Sequence, residues 1–98
     1  MNVFDLSIVS PGGKFFENKA ESLIAPGILG SFGVLANHSP MIAAVKSGVI
    51  RVKDQTREHF FVIDSGVVEV AFDHSVLALV DHATACETYE RALSELKK

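Results

Sequence analysis

The sequence predicts a mainly β protein, an antiparallel sandwich or barrel that ends in one short helix. Three observations support this fold class. Short runs of alternating or β-branched residues recur along most of the chain, polar or Gly/Pro turns separate them, and a helical period appears only after residue 83. At 98 residues, the chain has the length of one domain.

The first quarter of the chain predicts extended structure. Residues 3–9 alternate, with Phe4, Leu6 and Ile8 on one side, as in a half-buried strand. The Ser-Pro-Gly-Gly that follows predicts a turn. Beyond it we expect two short extended runs, separated by a polar kink around Asn18 and Lys19.

Residues 27–40, GILGSFGVLANHSP, are predicted to form a loop flanked by Pro26 and Pro40. Its glycines at 27, 30 and 33 resemble a phosphate-binding loop only superficially, because the Lys-Ser/Thr pair and the strand–loop–helix context are missing. The loop carries more apolar side chains than an isolated loop should expose. We therefore interpret it as a contact for another protein.

The second half of the chain predicts four more strands. They occupy residues 48–54, 59–66, 66–72 and 75–81. The polar turns DQTRE and DHS join the first pair and the last pair as hairpins. Ser65 and Gly66 are expected to form a bend between the two middle strands.

The last fifteen residues change to a helical period. Tyr89, Leu93 and Leu96 are spaced i, i+4, i+7, and Thr84 with Glu87 matches a capping box. About three turns of helix are too short to be stable alone, so we expect this helix to dock on the sandwich or on another helix. The predicted division is a β-sandwich domain at 1–84 and a short helix at 85–98.

Composition excludes several classes of function. A net charge of −3 with nine scattered Lys and Arg residues does not provide the basic surface of a nucleic-acid-binding protein. The lone Cys86 cannot form an internal disulfide and fits a reducing compartment. No secretory signal is recognisable, and no apolar run approaches the roughly 18 to 20 residues that cross a bilayer. Membrane association is therefore expected only through a partner.

The four histidines raise the question of a metal site. They are His38, His59, His74 and His82, without the short spacing of common ligand pairs and without a cysteine pair beside them. Distant ligands could still gather on strands, so a small His-dependent metalloenzyme remains an alternative. Exposed histidines at hairpin ends are the simpler interpretation.

Nucleophilic catalysis has equally little support. Asp64 with Ser65 and Asp81 with His82 contain the residue types of a catalytic triad. Neighbours on a strand point to opposite faces, so Asp64 and Ser65 do not simply share a site. Cys86 beside the helix start has no identifiable base and is interpreted as a packing residue.

Two long segments together resemble a known family. They are FDLSIVSPGGKFFENKAESLIAPGILGSFGVLANHSPMIAAVKSGVIRV and FFVIDSGVVEVAFDHSVLALVDHA, with a Pro-Gly turn, spaced glycines, His-x-Pro, Lys-x-Gly, a Val-Glu-Val strand and Asp-x-Ala. Their combination, over about residues 3 to 85, resembles the epsilon subunit of F-type ATP synthase, called delta in mitochondria. The resemblance implies a β-sandwich of about ten strands.

The resemblance also implies a function. In this family the domain is a noncatalytic rotor subunit at the foot of the central stalk, where it binds the gamma subunit and touches the polar loops of the c-ring. Carried over by position, Ser10, His38 and Ala43 would lie toward gamma, and Ser31 with neighbouring loop residues toward the ring. Phe32 in the same loop is expected to contact gamma or the ring. No catalytic residue, cofactor or metal is implied. The location implied is the cytoplasmic face of a bacterial inner membrane.

The family usually continues into a two-helix C-terminal domain that can inhibit ATP hydrolysis and in some members binds ATP. This chain stops within the first helix, so we expect the inhibitory extension and the ATP site to be missing, in a naturally short member or a truncated chain. A free-standing β-sandwich that binds another protein is the main alternative to the rotor subunit.

Overall fold

A computed structural model describes residues 2–97. Ten strands and one helix lie within them. The strands are β1 Phe4–Ser10, β2 Gly13–Ala20, β3 Ser22–Gly27, β4 Gly30–Leu35, β5 Met41–Val45, β6 Gly48–Lys53, β7 Glu58–Ile63, β8 Gly66–Val70, β9 Val76–Val80 and β10 Ala83–Cys86, and the helix is α1 Tyr89–Leu96.

The strands hydrogen-bond into one continuous sheet in the order β10-β7-β6-β3-β5-β8-β9-β1-β2, with β4 attached to β3. The sheet passes from one layer of the sandwich to the other where β3 meets β5. These two strands are joined at a single paired position, Gly27 with Val45. This gives a first layer, β10-β7-β6-β3-β4, and a second layer, β5-β8-β9-β1-β2. The predicted ten-stranded sandwich with a short helix is confirmed, with one parallel pair, β1 with β9, among the antiparallel ones.

The core lies between the two layers and follows from the alternation along each strand. The predicted inward side of β1 is confirmed, since Phe4, Leu6 and Ile8 are all buried. The first layer faces them with side chains that include Leu23, Ile50, Val52, Phe61 and Ile63. Each strand therefore leaves its alternate side chains on an outer face of the sandwich.

The predicted loop at residues 27–40 is wrong, because it contains strand β4. This strand pairs with β3 along its whole length, from Ser22 opposite Leu35 to Gly27 opposite Gly30. Gly30 has a φ of 130°, which favours glycine and lets the chain reverse through two residues. Gly27 and Gly30 thus flank the two-residue turn of a tight hairpin, and Gly33 lies inside β4.

The predicted kink at Asn18 and Lys19 is also wrong, since both lie inside β2. The irregularity of β2 lies earlier, where a bulge leaves Phe15 as an extra residue opposite β1. The bulge lets both Phe15 and Phe16 approach Phe61, with ring centres 5.7 and 5.0 Å away.

The helix begins later than predicted. Thr88 is its N-cap, and the Thr88 hydroxyl accepts a hydrogen bond from the Arg91 N–H at 3.1 Å. The capping box of Thr84 with Glu87 is wrong, because Thr84 lies in β10. Sandwich and helix therefore meet at residues 87 and 88, and Lys98, the last residue of the predicted helix, lies outside the described residues.

Candidate interaction surface

Part of the outer face of the first layer is covered by the chain itself. Helix α1 packs on β6, β7 and β10. Ala92 is fully buried at this contact, where its small side chain lets the helix approach Phe60 and Cys86. The Arg51 guanidinium lies 4.6 Å from the ring centre of Tyr89, within cation–π distance. This docking, predicted from the helical period, covers the β6, β7 and β10 part of the face and leaves the β3–β4 part exposed.

The outer face of the second layer is open and apolar. Ala44, Val67, Leu79 and Val9 are neighbours across β5, β8, β9 and β1 in the strand register, so their side chains share one face. Val67 is 37% exposed and Leu79 is 49% exposed. We call these four residues the apolar row. A continuous apolar row across four strands is typical of a surface that another protein covers.

The apolar row continues into the tip of the β3–β4 hairpin. The Ile28 N–H donates a hydrogen bond to the Ala44 carbonyl at 3.1 Å, which fixes the tip beside β5. Ile28 is 60% exposed and Leu29 projects fully into solvent. Gly27 is required here, since a Cβ atom would lie 2.6 Å from the Gly30 carbonyl oxygen. The sequence thus holds two apolar side chains outward on a rigid turn.

A groove of about 520 Å³ separates the hairpin tip from β5. It is lined by residues 27–30, Phe32 and residues 41–44, and its walls are predominantly apolar. The groove joins the tip to the apolar row, so the two form one surface. No ionisable side chain lines it, and the arrangement suits binding of a protein rather than acid–base chemistry.

Four of the five predicted contact residues lie on or beside this surface. Phe32 and Ala43 line the groove, and Ser31 is exposed on β4 opposite Pro26. Ser10 ends β1, next to the apolar row, in a shallow depression with Val67 and Leu79. Phe32, Ala43 and Ser10 thus lie at this surface, whereas the Ser31 side chain shares the outer face of the first layer with Pro26; which protein each residue contacts stays a prediction.

His38 lies apart from the other four, at the opposite end of β5. Its backbone N–H donates to the Leu35 carbonyl at 3.2 Å, and its Nδ1 lies 2.7 Å from the Ser39 carbonyl oxygen. The His74 ring donates to the His38 carbonyl at 3.1 Å, which ties this loop to the β8–β9 turn. The five strand residues of β5 separate this end from the hairpin tip by roughly 15 Å. Its role as a partner contact stays a prediction.

One pair that the sequence analysis did not anticipate joins Ser65 to Asp81. The Ser65 hydroxyl donates to the Asp81 carboxylate at 2.9 Å, and the Asp81 N–H donates to the Ser65 carbonyl at 3.0 Å. Both bonds fasten the bend after β7 to the end of β9. The serine hydroxyl therefore has a structural role, joining two strand ends. No histidine accepts its proton as in a catalytic triad.

A second unanticipated group surrounds Asp54, a charged side chain that is only 6% exposed. Its carboxylate accepts hydrogen bonds from His59 Nε2 at 2.6 Å and from the side-chain amide of Asn18 at 3.1 Å. The backbone N–H groups of Thr56 and Arg57 donate to its other oxygen at 2.8 and 2.9 Å. These bonds fasten the β6–β7 hairpin to β2.

The hydrogen bonds decide the charge of Asp54. Burial by itself would raise the pKa of this carboxyl, but the Arg57 N–H, His59, and the Thr56 N–H and hydroxyl hold it well below its usual range. Asp54 is therefore ionised at neutral pH. We assign this group a structural role.

Other chemistry has little basis in the part of the chain that the structure describes. Residues 2–97 contain no group of three His, Cys, Asp or Glu side chains arranged to hold a metal ion. Cys86 is a free thiol buried beneath α1. The helix at 89–96 is too short to span a membrane, and residues 2–97 contain no longer one.

Known proteins share both this sequence pattern and this fold. The family model described as the ATP synthase delta/epsilon chain, β-sandwich domain, matches residues 3–85. ATP synthase epsilon chains of Leptospira borgpetersenii and Afipia carboxidovorans are 30% and 34% identical, over 96% and 94% of this chain and 77% and 67% of their own lengths.

Two solved structures share the fold at low identity. A chain in the Euglena gracilis mitochondrial ATP synthase matches 95% of this chain with a TM-score of 0.80 at 18% identity, and this chain spans 60% of its length. A chain in the central stalk and c-ring structure of the Tetrahymena thermophila enzyme matches 96% with a TM-score of 0.74 at 9% identity. By the family model and its bacterial relatives, the chain belongs to the delta/epsilon family of ATP synthase and is a noncatalytic subunit of that enzyme.

Proposed function

We propose that the chain is a rotor subunit of the central stalk, which binds the gamma subunit through the apolar row and contacts the c-ring through the β3–β4 hairpin tip. Its membership of the delta/epsilon family supports this, as do the two structures that share its fold, one of an assembly with the c-ring and one of the central stalk with the c-ring. The chain performs no chemistry. It transmits ion-driven rotation of the ring to the stalk that drives ATP synthesis.

The apolar row is the observation that carries the proposal. Helix α1 covers the part of the first layer that β6, β7 and β10 form, whereas the second layer leaves Val67 and Leu79 in solvent. Burying such side chains contributes roughly 25 cal/mol per Å² of apolar area. A large stalk subunit that lies across the second layer gains this free energy, and the sandwich is held against it as one rigid body.

The hairpin tip is suited to a second contact. Leu29 projects fully from a two-residue turn, at the end of the molecule opposite His38. A turn so narrow fits between polar loops of a ring. The tip and the apolar row are adjacent, so one subunit bridges gamma and the ring.

Location follows from these partners. The bacterial relatives are epsilon chains of ATP synthase. We place the chain at the cytoplasmic face of a bacterial inner membrane, attached to it only through the complex.

Reconstitution with the gamma subunit tests the first contact. Val67→Asp puts a charge in the centre of the apolar row, and an unpaired charge buried in an interface costs about 2 kcal/mol or more. We expect it to weaken the gamma complex by at least about thirtyfold in a titration. Thr84→Asp, the same added charge on the exposed part of β10, is the matched control. Equal binding by the wild type and V67D would contradict the proposal and favour a free-standing module.

Coupling tests the second contact. Leu29→Asp should leave gamma binding unchanged and reduce ATP-driven ion pumping in membranes that carry the whole enzyme, because it alters only the tip. If L29D enzyme pumps as the wild type does, the tip is not a functional ring contact.

A further inference from the structure

Glu69 is placed within the apolar surface of the second layer. In the strand register it lies between Ile42 on β5 and Leu77 on β9, one row away from Val67 and Leu79. Its side chain is exposed and shares the outer face with Ile42, which is 73% exposed. A partner that covers the apolar row therefore also covers this carboxylate.

The charges at the β1–β2 edge of this face are paired within the chain. Lys14 contacts Glu17 at 3.1 Å, and Lys19 contacts Asp5 at 2.6 Å. Among residues 2–97, none forms an ion pair or hydrogen bond with the Glu69 side chain. Glu69 thus differs from these residues, because its carboxylate lies among apolar side chains and is unpaired within the described residues.

We infer that the protein covering this face presents a lysine or arginine side chain opposite Glu69, ringed by apolar contacts to Ile42, Val67 and Leu77. This inference rests on the proposed function, in which that protein is gamma. A carboxylate that loses its water without gaining a cation opposes binding, whereas one that meets a cation fixes the register of the two surfaces. The apolar row supplies buried apolar area but does not fix how the two proteins are aligned, whereas an ion pair at Glu69 would fix that alignment.

The sign of one substitution separates the two cases. Glu69→Gln keeps the size of the side chain and removes its charge. If a cation lies opposite, the change leaves that cation buried and unpaired, and the gamma complex weakens. If no cation lies opposite, the change removes a costly desolvation, and the complex is unchanged or tighter.

The experiment measures the affinity of the full chain for purified gamma at low and at high salt. We expect E69Q to weaken the complex by at least about tenfold and to reduce its dependence on salt. Glu17→Gln is the matched control, because it removes the same charge from the same sheet face at a site already paired with Lys14. Affinity of E69Q equal to or above that of the wild type overturns the inference.

V67D in the same assay distinguishes this failure from failure of the proposed function. If V67D loses binding and E69Q binds fully, gamma still covers this face but the proposed cation opposite Glu69 is refuted. If both variants bind fully, the proposal that gamma covers this face is refuted. Thermal unfolding of each variant shows that the fold is intact, which is expected for changes at exposed positions.

Discussion

Asp54→Ala removes the carboxylate that fastens the β6–β7 hairpin to β2. Five hydrogen bonds end on this side chain: one from Asn18, two from Thr56, one from Arg57 and one from His59. Asn18, Thr56 and Arg57 are exposed residues, so water can replace the carboxylate as the acceptor for their donor groups. His59 has a side chain only 17% exposed and loses its partner where water has little access.

The expected loss follows from this division. A hydrogen bond to a charged group is worth about 1.5 to 3 kcal/mol. We count the full loss of the His59 hydrogen bond and, for the other four bonds together, a loss equal to one more hydrogen bond. The free energy of unfolding should then fall by about 3 kcal/mol. For a domain of this size that corresponds to a Tm lower by about 12 to 24 °C. Asp54→Asn keeps one acceptor oxygen and should lose about half as much.

Urea denaturation followed by circular dichroism measures the effect, and its pH dependence tests the cause. The folded-state pKa of Asp54 is depressed, so its ionic contribution is present above the unfolded-state pKa of 3.8 and is lost as the pH falls below it. The difference between the wild type and D54N should therefore be full at neutral pH and should narrow below about pH 4.

Asp64→Asn is the matched control, since this aspartate is exposed in the bend after β7 and its side chain has no partner within residues 2–97. It should change the unfolding free energy by less than about 0.5 kcal/mol. A loss below about 1 kcal/mol for D54A would refute the reasoning. A difference between the wild type and D54N that stays constant with pH would refute the assigned ionisation.

Two further predictions concern packing. Gly66→Ala should lower the unfolding free energy by about 3 kcal/mol or more, because its Cβ would lie 2.0 Å from a carbonyl oxygen of β9. Gly12→Ala, whose Cβ meets nothing closer than 3.9 Å, should stay within about 0.5 kcal/mol in the same urea titration, and similar losses for both would contradict the packing. Ala92→Glu should undock α1 and speed the reaction of Cys86 with a thiol reagent at least about tenfold, since the thiol is now buried beneath the helix. Ser94→Glu, on the exposed side of α1, should leave that rate unchanged, and a slow thiol in A92E would show that α1 does not protect it.

Strands whose two faces differ could be predicted from the sequence. In β1 the apolar and polar residues alternate, and the side chains predicted to share one side, Phe4, Leu6 and Ile8, are buried. The strand β4 was missed for a physical reason. It pairs with β3 on one side, and Val34 is its one fully buried residue, so its sequence carries almost no period of two.

The side-chain pairs could not be predicted, because they depend on how the layers close. Asn18 and Asp54 are 36 positions apart, and they meet because β2 folds back over the β6–β7 hairpin. Ser65 and Asp81 are 16 positions apart and meet at the end of β9. No local pattern encodes such distances.

The apolar row has a signal in the sequence. Strand β9, VLALV, is apolar on both phases of the alternation, and the outer phase of β8 begins with Val67. A strand that is apolar on both phases is typical of one covered on both faces. In this sandwich the core covers one face, and residues 2–97 do not cover the other, which is what points to a partner.

The parallel pairing of β1 with β9 has a consequence for how the protein is made. Leu6 pairs with Val76, so β1 waits for a strand that lies 70 positions further along the chain before its layer is complete. Until then the chain holds a β1–β2 hairpin whose apolar side has no lasting cover. Contacts between such distant residues make folding slow and leave apolar segments exposed meanwhile. The second layer, which carries the apolar row, is therefore finished only after β9 has left the ribosome.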